Sequence, residues 1–126
     1  YIRDYDSTYF PAFPVAEIGI NRVEDRPANE IVLTALVDSG SDGTIIPFEH
    51  LEAIGAEYVN SGFMRRYGVR NSVDIYVITL RIGVYRLSSV RVVADEQNHE
   101  TILGRNVLNH FIVTLNGLAS VTEILD

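Results

Sequence analysis

The sequence predicts a small, mainly β domain with one or two short helices. Three observations carry that expectation. Apolar segments rich in Val, Ile and Tyr recur along the chain, turn-forming residues separate them, and only two short stretches have helical spacing. At 126 residues and 47% hydrophobic content, the chain is long and apolar enough for one domain with a real core.

Residues 12–20 and 30–37 read as the two strands of a hairpin, joined by a polar stretch, 21–29, that holds Pro27. Residues 47–55 predict a short helix. Pro47 opens it, Phe48, Leu51 and Ile54 share a face, and Gly55 closes it. Residues 72–82 are largely apolar at both alternating positions, which predicts a strand covered on two sides. Another strand is expected over 84–93, then a polar loop over 94–100 and one or two helical turns over 105–110. Residues 111–115 follow as a strand. Asn116-Gly117 is a strong hairpin turn signal, and 120–125 is its return strand, paired back within the same chain. We expect residues 12–126 to form the domain and residues 1–11 to be an N-terminal extension or linker remnant. Tyr1 stands where a start Met would, so release from a longer precursor is also expected, with residues 1–10 as a propeptide remnant in one reading.

Composition removes several classes of function. With no cysteine, disulfides, thiolate nucleophiles and cysteine-based metal sites are excluded. A net charge of -7 argues against nucleic-acid binding, which calls for a basic surface. All 10 basic residues are arginine, which we read first as genome bias. No apolar run approaches the roughly 20 residues of a membrane span. We expect a soluble chain, with the cytoplasm as one compatible setting. His50, His99 and His110 match no compact ligand spacing, so no metal site is assigned to them.

The most informative stretch is Leu36-Val37-Asp38-Ser39-Gly40-Ser41-Asp42-Gly43-Thr44. It places one acid after an apolar run and inside a glycine turn. The run delivers the carboxyl group to the end of a sheet, where water is partly excluded. Gly40 permits a tight turn and a close approach, and Ser39 offers a hydroxyl that can brace it. Asp-Ser-Gly alone is also an ordinary turn. A carboxylate beside a core is costly, however, unless it has a partner or a task. Two such carboxylates in contact could share a proton, one activating water while the other donates to the carbonyl under attack.

With the second segment, Thr101-Ile102-Leu103-Gly104-Arg105-Asn106-Val107-Leu108, the chain resembles the retroviral-type (retropepsin-like) aspartic proteases. That family carries apolar-apolar-Asp-Thr/Ser-Gly-Ala/Ser followed by Thr, then Ile-Ile/Leu-Gly-Arg-Asn/Asp-x-Leu near the C-terminus. Thr114-Leu115-Asn116 also looks like the end of a retroviral protease. The resemblance implies a closed β-barrel acid-protease lobe that works as a homodimer on a peptide or protein substrate, with no cofactor and no metal. It implies catalytic roles for Asp38, Ser39 and Gly40, with Asp38 paired to Asp38 of a second chain and Ser39 bonding across the two-fold axis. It further implies substrate contacts from Asp42 and Gly43 and structural or interface roles for Arg105 and Asn106. Arg105 is expected to reach Asp42 or the partner chain.

A hairpin between Phe63 and Ile82 matches the family's flap, with Tyr67, Gly68 and Val69 as candidate substrate contacts. Its tip lacks the glycine-rich sequence of retroviral flaps. Arg65, Arg66 and Arg70 there read as a solvated hairpin edge or as selectors of acidic substrate. Retroviral chains end near the position of Asn116-Gly117 and interleave there with the partner, whereas this chain continues. The expected activity is aspartic endopeptidase, and the alternative is a catalytically silent dimerisation or peptide-binding module of the same fold.

Overall fold

The computed structural model describes residues 1–66 and 68–126, and at Arg66 the backbone alone. Among the described residues ten strands and two short α-helices, besides a 3-10 turn at Pro27–Asn29, run in the order β1 (Ile2–Asp4), β2 (Val15–Asn21), β3 (Ile31–Val37), β4 (Thr44–Pro47), α1 (Phe48–Ile54), β5 (Glu57–Arg66), β6 (Val69–Ile82), β7 (Tyr85–Asp95), β8 (Thr101–Leu103), α2 (Arg105–Leu108), β9 (Ile112–Asn116) and β10 (Val121–Leu125). The larger sheet has the order β2-β3-β8-β4-β7-β6-β5. Because β2 also pairs with β6, that sheet closes on itself and β5 hangs from the closed ring. A smaller sheet, β1-β10-β9, lies beside it.

Closure follows from where the apolar side chains fall. Ile18 and Ile20 of β2, Ile46 of β4, and Ile78, Leu80 and Ile82 of β6 are buried together, and Leu51 and Ile54 of α1 join the same core. Ile124 of β10 also enters it, which docks the small sheet onto the barrel. Glycine closes α1 as its sequence implies. Gly55 is left-handed (φ 66°), and its N–H and that of Ala56 donate to Glu52 and Leu51 carbonyls, satisfying the last turn. Pro47 stands one residue before the first helical position.

Four expectations need correction. The strand of residues 72–82 starts earlier, at Val69, and only its C-terminal half is buried. Its N-terminal half projects with β5 as an exposed hairpin, so no second layer covers it. Asn116-Gly117 does not make a two-residue turn. Asn116 pairs with Val121 across four turn residues, and Asn116 Oδ1 accepts the Ala119 N–H at 3.0 Å. The left-handed residue of that loop is Ser120 (φ 53°), not Gly117. The strand of residues 12–20 begins at Val15, after an isolated bridge between Asp6 and Phe13. Strands β4 and β8 lie in segments read for their motifs, not as strands, and β1 pairs with β10 from within residues 1–11. The return strand β10 pairs with β9 inside the chain, as its sequence implies. Among the described residues no helix is long and apolar enough to cross a membrane.

Candidate active site

Strand β8 lies between β3 and β4, so the turn that joins those two strands passes over its end. This brings the two sequence motifs together. Leu36 registers with Ile102 and Val37 with Leu103 in parallel pairing, and the Asp38 N–H donates to the Leu103 carbonyl at 3.1 Å. Asp38 is half-buried at the mouth of the barrel.

Two bonds fix the turn itself. Gly40 N–H donates to Asp38 Oδ1 at 2.9 Å, and Ser41 N–H donates to the Asp38 carbonyl at 3.1 Å. Asp38 Oδ1 is thereby held, while Oδ2 has no partner among the described residues. Gly40 is required for space more than for backbone freedom, because a Cβ there would stand 3.0 Å from Asp38 Oδ1. Ser39 is exposed, and its hydroxyl has no partner among the described residues. Ser41 braces the turn instead, its Oγ donating to the Gly43 carbonyl at 2.7 Å.

The second motif supports the turn from below. Gly104 is buried against the Gly43 backbone so closely that a Cβ would overlap the Gly43 carbonyl. Arg105 N–H donates to the Ser41 carbonyl and Arg105 Nη1 to the Ser39 carbonyl, each at 2.8 Å. The expected contact of Arg105 with Asp42 is therefore not made within the chain. The guanidinium reaches the turn's backbone, and Asp42 is exposed. Sequence reasoning treated Thr44 only as part of a motif, yet it is the buried hub of the site. Its Oγ1 accepts the Gly104 N–H at 3.1 Å and donates to Asn106 Oδ1 at 2.7 Å, and Asn106 Nδ2 donates to the Arg91 carbonyl of β7 at 2.9 Å. A Thr directly after a glycine turn, buried at the start of a strand, was the available signal.

Two adjoining grooves run along the hairpin side of the turn. One of about 270 Å³ is lined by Asp42, Gly43, Thr44, Met64, Ile75 and Asn106 among others. The other, of about 470 Å³, takes its walls from Asn71 to Asp74 and from the 94–98 segment, and shares Met64, Val73 and Val93 with the first. Asp38, Ser39 and Gly40 line neither, Asp38 being half-buried and Ser39 and Gly40 exposed. Gly68 (φ 76°) and the exposed Val69 lie at the hairpin tip, beyond both grooves, and Tyr67 falls outside the described residues. Arg65 registers with Arg70, while Met64 registers with Asn71. Side chains alternate along a strand, so the two arginines point away from the face that Met64 turns to Gly43. Arg70 stacks on the Phe63 ring at 3.9 Å, a solvated arrangement on the outer face. His99 Nδ1 and His50 Nε2 flank Glu49 Oε1 at 3.5 and 3.9 Å, away from the turn.

No protein-family model matches the chain, and no curated protein matches it in sequence. Among solved structures it is similar to the EIAV protease in complex with the inhibitor HBY-793. The TM-score is 0.62 at 18% identity, over 78% of this chain and 86% of that one. The chain therefore has the retropepsin-like fold, a mainly β closed barrel with two short helices.

Proposed function

We propose that this chain is an aspartic endopeptidase whose active site is completed by a second copy. One observation carries the reading. Asp38 sits half-buried in the glycine turn with Oδ1 fixed by Gly40 N–H, while among the described residues Oδ2 is unengaged and the neighbouring exposed Ser39 hydroxyl unpartnered. A two-fold axis beside this turn would set Asp38 against Asp38 of the partner subunit and let the Ser39 hydroxyls bond across the axis. Two carboxyls so close cannot both ionise and would hold one proton between them. The ionised one takes a proton from water, whose oxygen adds to the peptide carbonyl carbon. The protonated one donates to the carbonyl oxygen. Collapse of the tetrahedral intermediate breaks the C–N bond: the leaving nitrogen takes the proton that came from water, one diol hydroxyl returns its proton to the ionised carboxyl, and the pair again holds one proton.

The grooves beside Asp42 and Gly43 would receive the substrate as an extended strand, its side chains alternating into pockets. The β5–β6 hairpin would act as the flap, Gly68 and Val69 reaching the substrate when it closes. The EIAV protease was solved with an inhibitor bound, which fits a cleft of this kind. The test is cleavage of a peptide library across about pH 4 to 7, the range over which a shared-proton carboxyl pair is expected to be active. Wild type is expected to give specific cuts that Asp38→Asn loses by about 10³-fold or more. Absence of cuts by either, from a protein shown to be dimeric, would leave the silent dimerisation or peptide-binding module as the reading.

A further inference from the structure

β6 and β7 pair from Ile82 and Tyr85 as far as Ile75 and Val93, and there they part. From Val69 to Asp74, β6 has β5 on one edge and, among the described residues, no strand on the other. The groove of about 470 Å³ occupies the gap, with residues 71–74 on one side and 94–98 on the other. Asn71, Ser72, Val73 and Asp74 are consecutive, and their side chains alternate between the two faces of the hairpin. A groove lined by all four therefore runs along the edge of β6, where the backbone has no strand partner.

The charges on that groove have one sign. Asp74, Asp95 and Glu96 line it, and among the described residues no basic one does. Asp95 shapes the loop, its Oδ1 accepting the N–H groups of Gln97 and Asn98 at 2.9 and 3.2 Å. Asp74 and Glu96 are exposed. Asp74 Oδ1 accepts the Ser61 hydroxyl at 3.1 Å, and Glu96 has no hydrogen-bond or ion-pair partner among the described residues. On the face of β6 that carries Asp74, Tyr76 meets Tyr58 edge-on and Phe48 at a tilt, with ring centroids 5.6 and 6.1 Å away. The Tyr76 phenol is held above its ordinary value of 10.0, first by burial and next by the Asp74 carboxylate, with Tyr58 and Glu96 adding to it. Both carboxylates thus act on one small region, and aromatic rings beside carboxylates favour a cation.

We propose that this groove is a recognition site for a basic, extended segment of the polypeptide substrate. The segment lies along the open edge of β6 and sets an Arg or Lys side chain against the Asp74 and Glu96 carboxylates. This rests on the endopeptidase reading and names the class of chain it takes as substrate. An added strand gains main-chain hydrogen bonds whatever its sequence, so the carboxylates supply the selection. A net charge of -7 also attracts such a segment from a distance. Position fits as well. The groove shares Met64, Val73 and Val93 with the smaller one that reaches Gly43, so a chain held here continues toward the turn that carries Asp38. The preference is opposite to the acidic one that Arg65, Arg66 and Arg70 suggest in sequence. Among the described side chains, Arg70 lies nearer the hairpin tip and stacks on Phe63.

Peptides that differ at one position test it. A fluorescein-labelled peptide of neutral, extended sequence is made with a central Arg, or with Gln in its place, and titrated onto Asp38→Asn protein. The Arg peptide is expected to bind about fivefold more tightly than the Gln peptide, the difference shrinking as salt is raised. Adding Asp74→Asn/Glu96→Gln, two changes at exposed positions that should keep the circular dichroism melt, is expected to erase that difference. Glu96→Arg alone should turn the preference toward a peptide with Glu at its centre. In the cleavage library, wild-type cuts should share a basic residue at a fixed distance from the cut. Equal or absent binding of the Arg and Gln peptides, or a basic preference that survives in the Asp74/Glu96 variant, would overturn the groove assignment, and cleavage by wild type would leave the enzyme standing. Arg-selective binding without cleavage by a dimeric wild type would keep the groove and remove the enzyme.

Discussion

Thr44 and Thr122 are both buried threonines, yet they stand in opposite relations to their surroundings. Thr44 Oγ1 is engaged twice, by the Gly104 N–H and toward Asn106 Oδ1, whereas Thr122 Oγ1 is buried without a hydrogen-bond partner among the described residues. Replacing Thr by Val keeps shape and removes the hydroxyl, so the two positions should respond differently. Thr44→Val orphans a buried N–H and is expected to cost about 1–3 kcal/mol, the desolvation penalty of an unsatisfied group. Thr122→Val removes a group that has already lost its water, and should be neutral or slightly stabilising. Urea denaturation of the two variants beside wild type would read the contrast. Equal losses would refute this account of the Thr44 hub. Gly104→Ala belongs with Thr44→Val, because its new methyl group meets the Gly43 backbone and not a movable side chain. Overpacking of that kind costs about 1–3 kcal/mol. It should also lower cleavage more than the stability loss explains, since Gly43 belongs to the turn that carries Asp38.

Among the elements, β6 is tied to the residue that precedes β3 by a pair that lies outside the candidate site. Arg81 Nε and Nη2 donate to the two Glu30 carboxylate oxygens at 2.8 and 2.6 Å, and Nη1 donates to the Gly83 carbonyl at 2.8 Å. Those hydrogen bonds from Arg81 hold the Glu30 carboxyl below its ordinary value of 4.5, against the opposing effect of partial burial. A lowered folded-state value means the pair stabilises fully above the ordinary glutamate range and loses that contribution as pH falls through it. Glu30→Gln should therefore cost about 1–2 kcal/mol at neutral pH, for a partly exposed charge-assisted pair. The gap to wild type should narrow below about pH 4.5. Thermal melts across the acid range would show it, and a gap that stays constant with pH would refute the linkage. The effect also bears on the cleavage assay, whose acid limb would otherwise be ascribed to Asp38 alone.

This pair was not legible in the sequence, because Glu30 and Arg81 are 51 residues apart and neither sits in a motif. The hairpin of β2 and β3, the helix α1 and the pairing of β9 with β10 were legible, since each is fixed by local periodicity and punctuation. Strand β8 was hidden by its brevity, and its three residues are strand only because β3 and β4 flank it. At the candidate site the apolar run, Asp38 and the glycines could be read directly. The contacts of Thr44 with Gly104 and Asn106 could not, because they depend on how close two distant segments come.

For the molecule as a whole, what matters is that one chain offers one Asp38, so stoichiometry decides activity if the proposed pair does the chemistry. This can be tested without knowing the interface. Wild type and Asp38→Asn, mixed in equal amounts and left to exchange, should pair at random, since the substitution keeps the size and shape of the side chain. About half of the wild-type chains would then sit opposite a substituted partner, in a site with one carboxylate where the mechanism needs two. Cleavage should fall to about half of what the same amount of wild type gives alone. A self-sufficient monomer would show no such loss, because each wild-type chain would keep its whole site. Repeating the mixture with two wild-type chains joined in tandem by a flexible linker separates subunit exchange from any effect on substrate. Linked pairs cannot take up a substituted partner, so their activity should be untouched. Inhibition that persists in linked pairs would mean the substituted chain competes for peptide, and that the pairing of acids is not what limits cleavage.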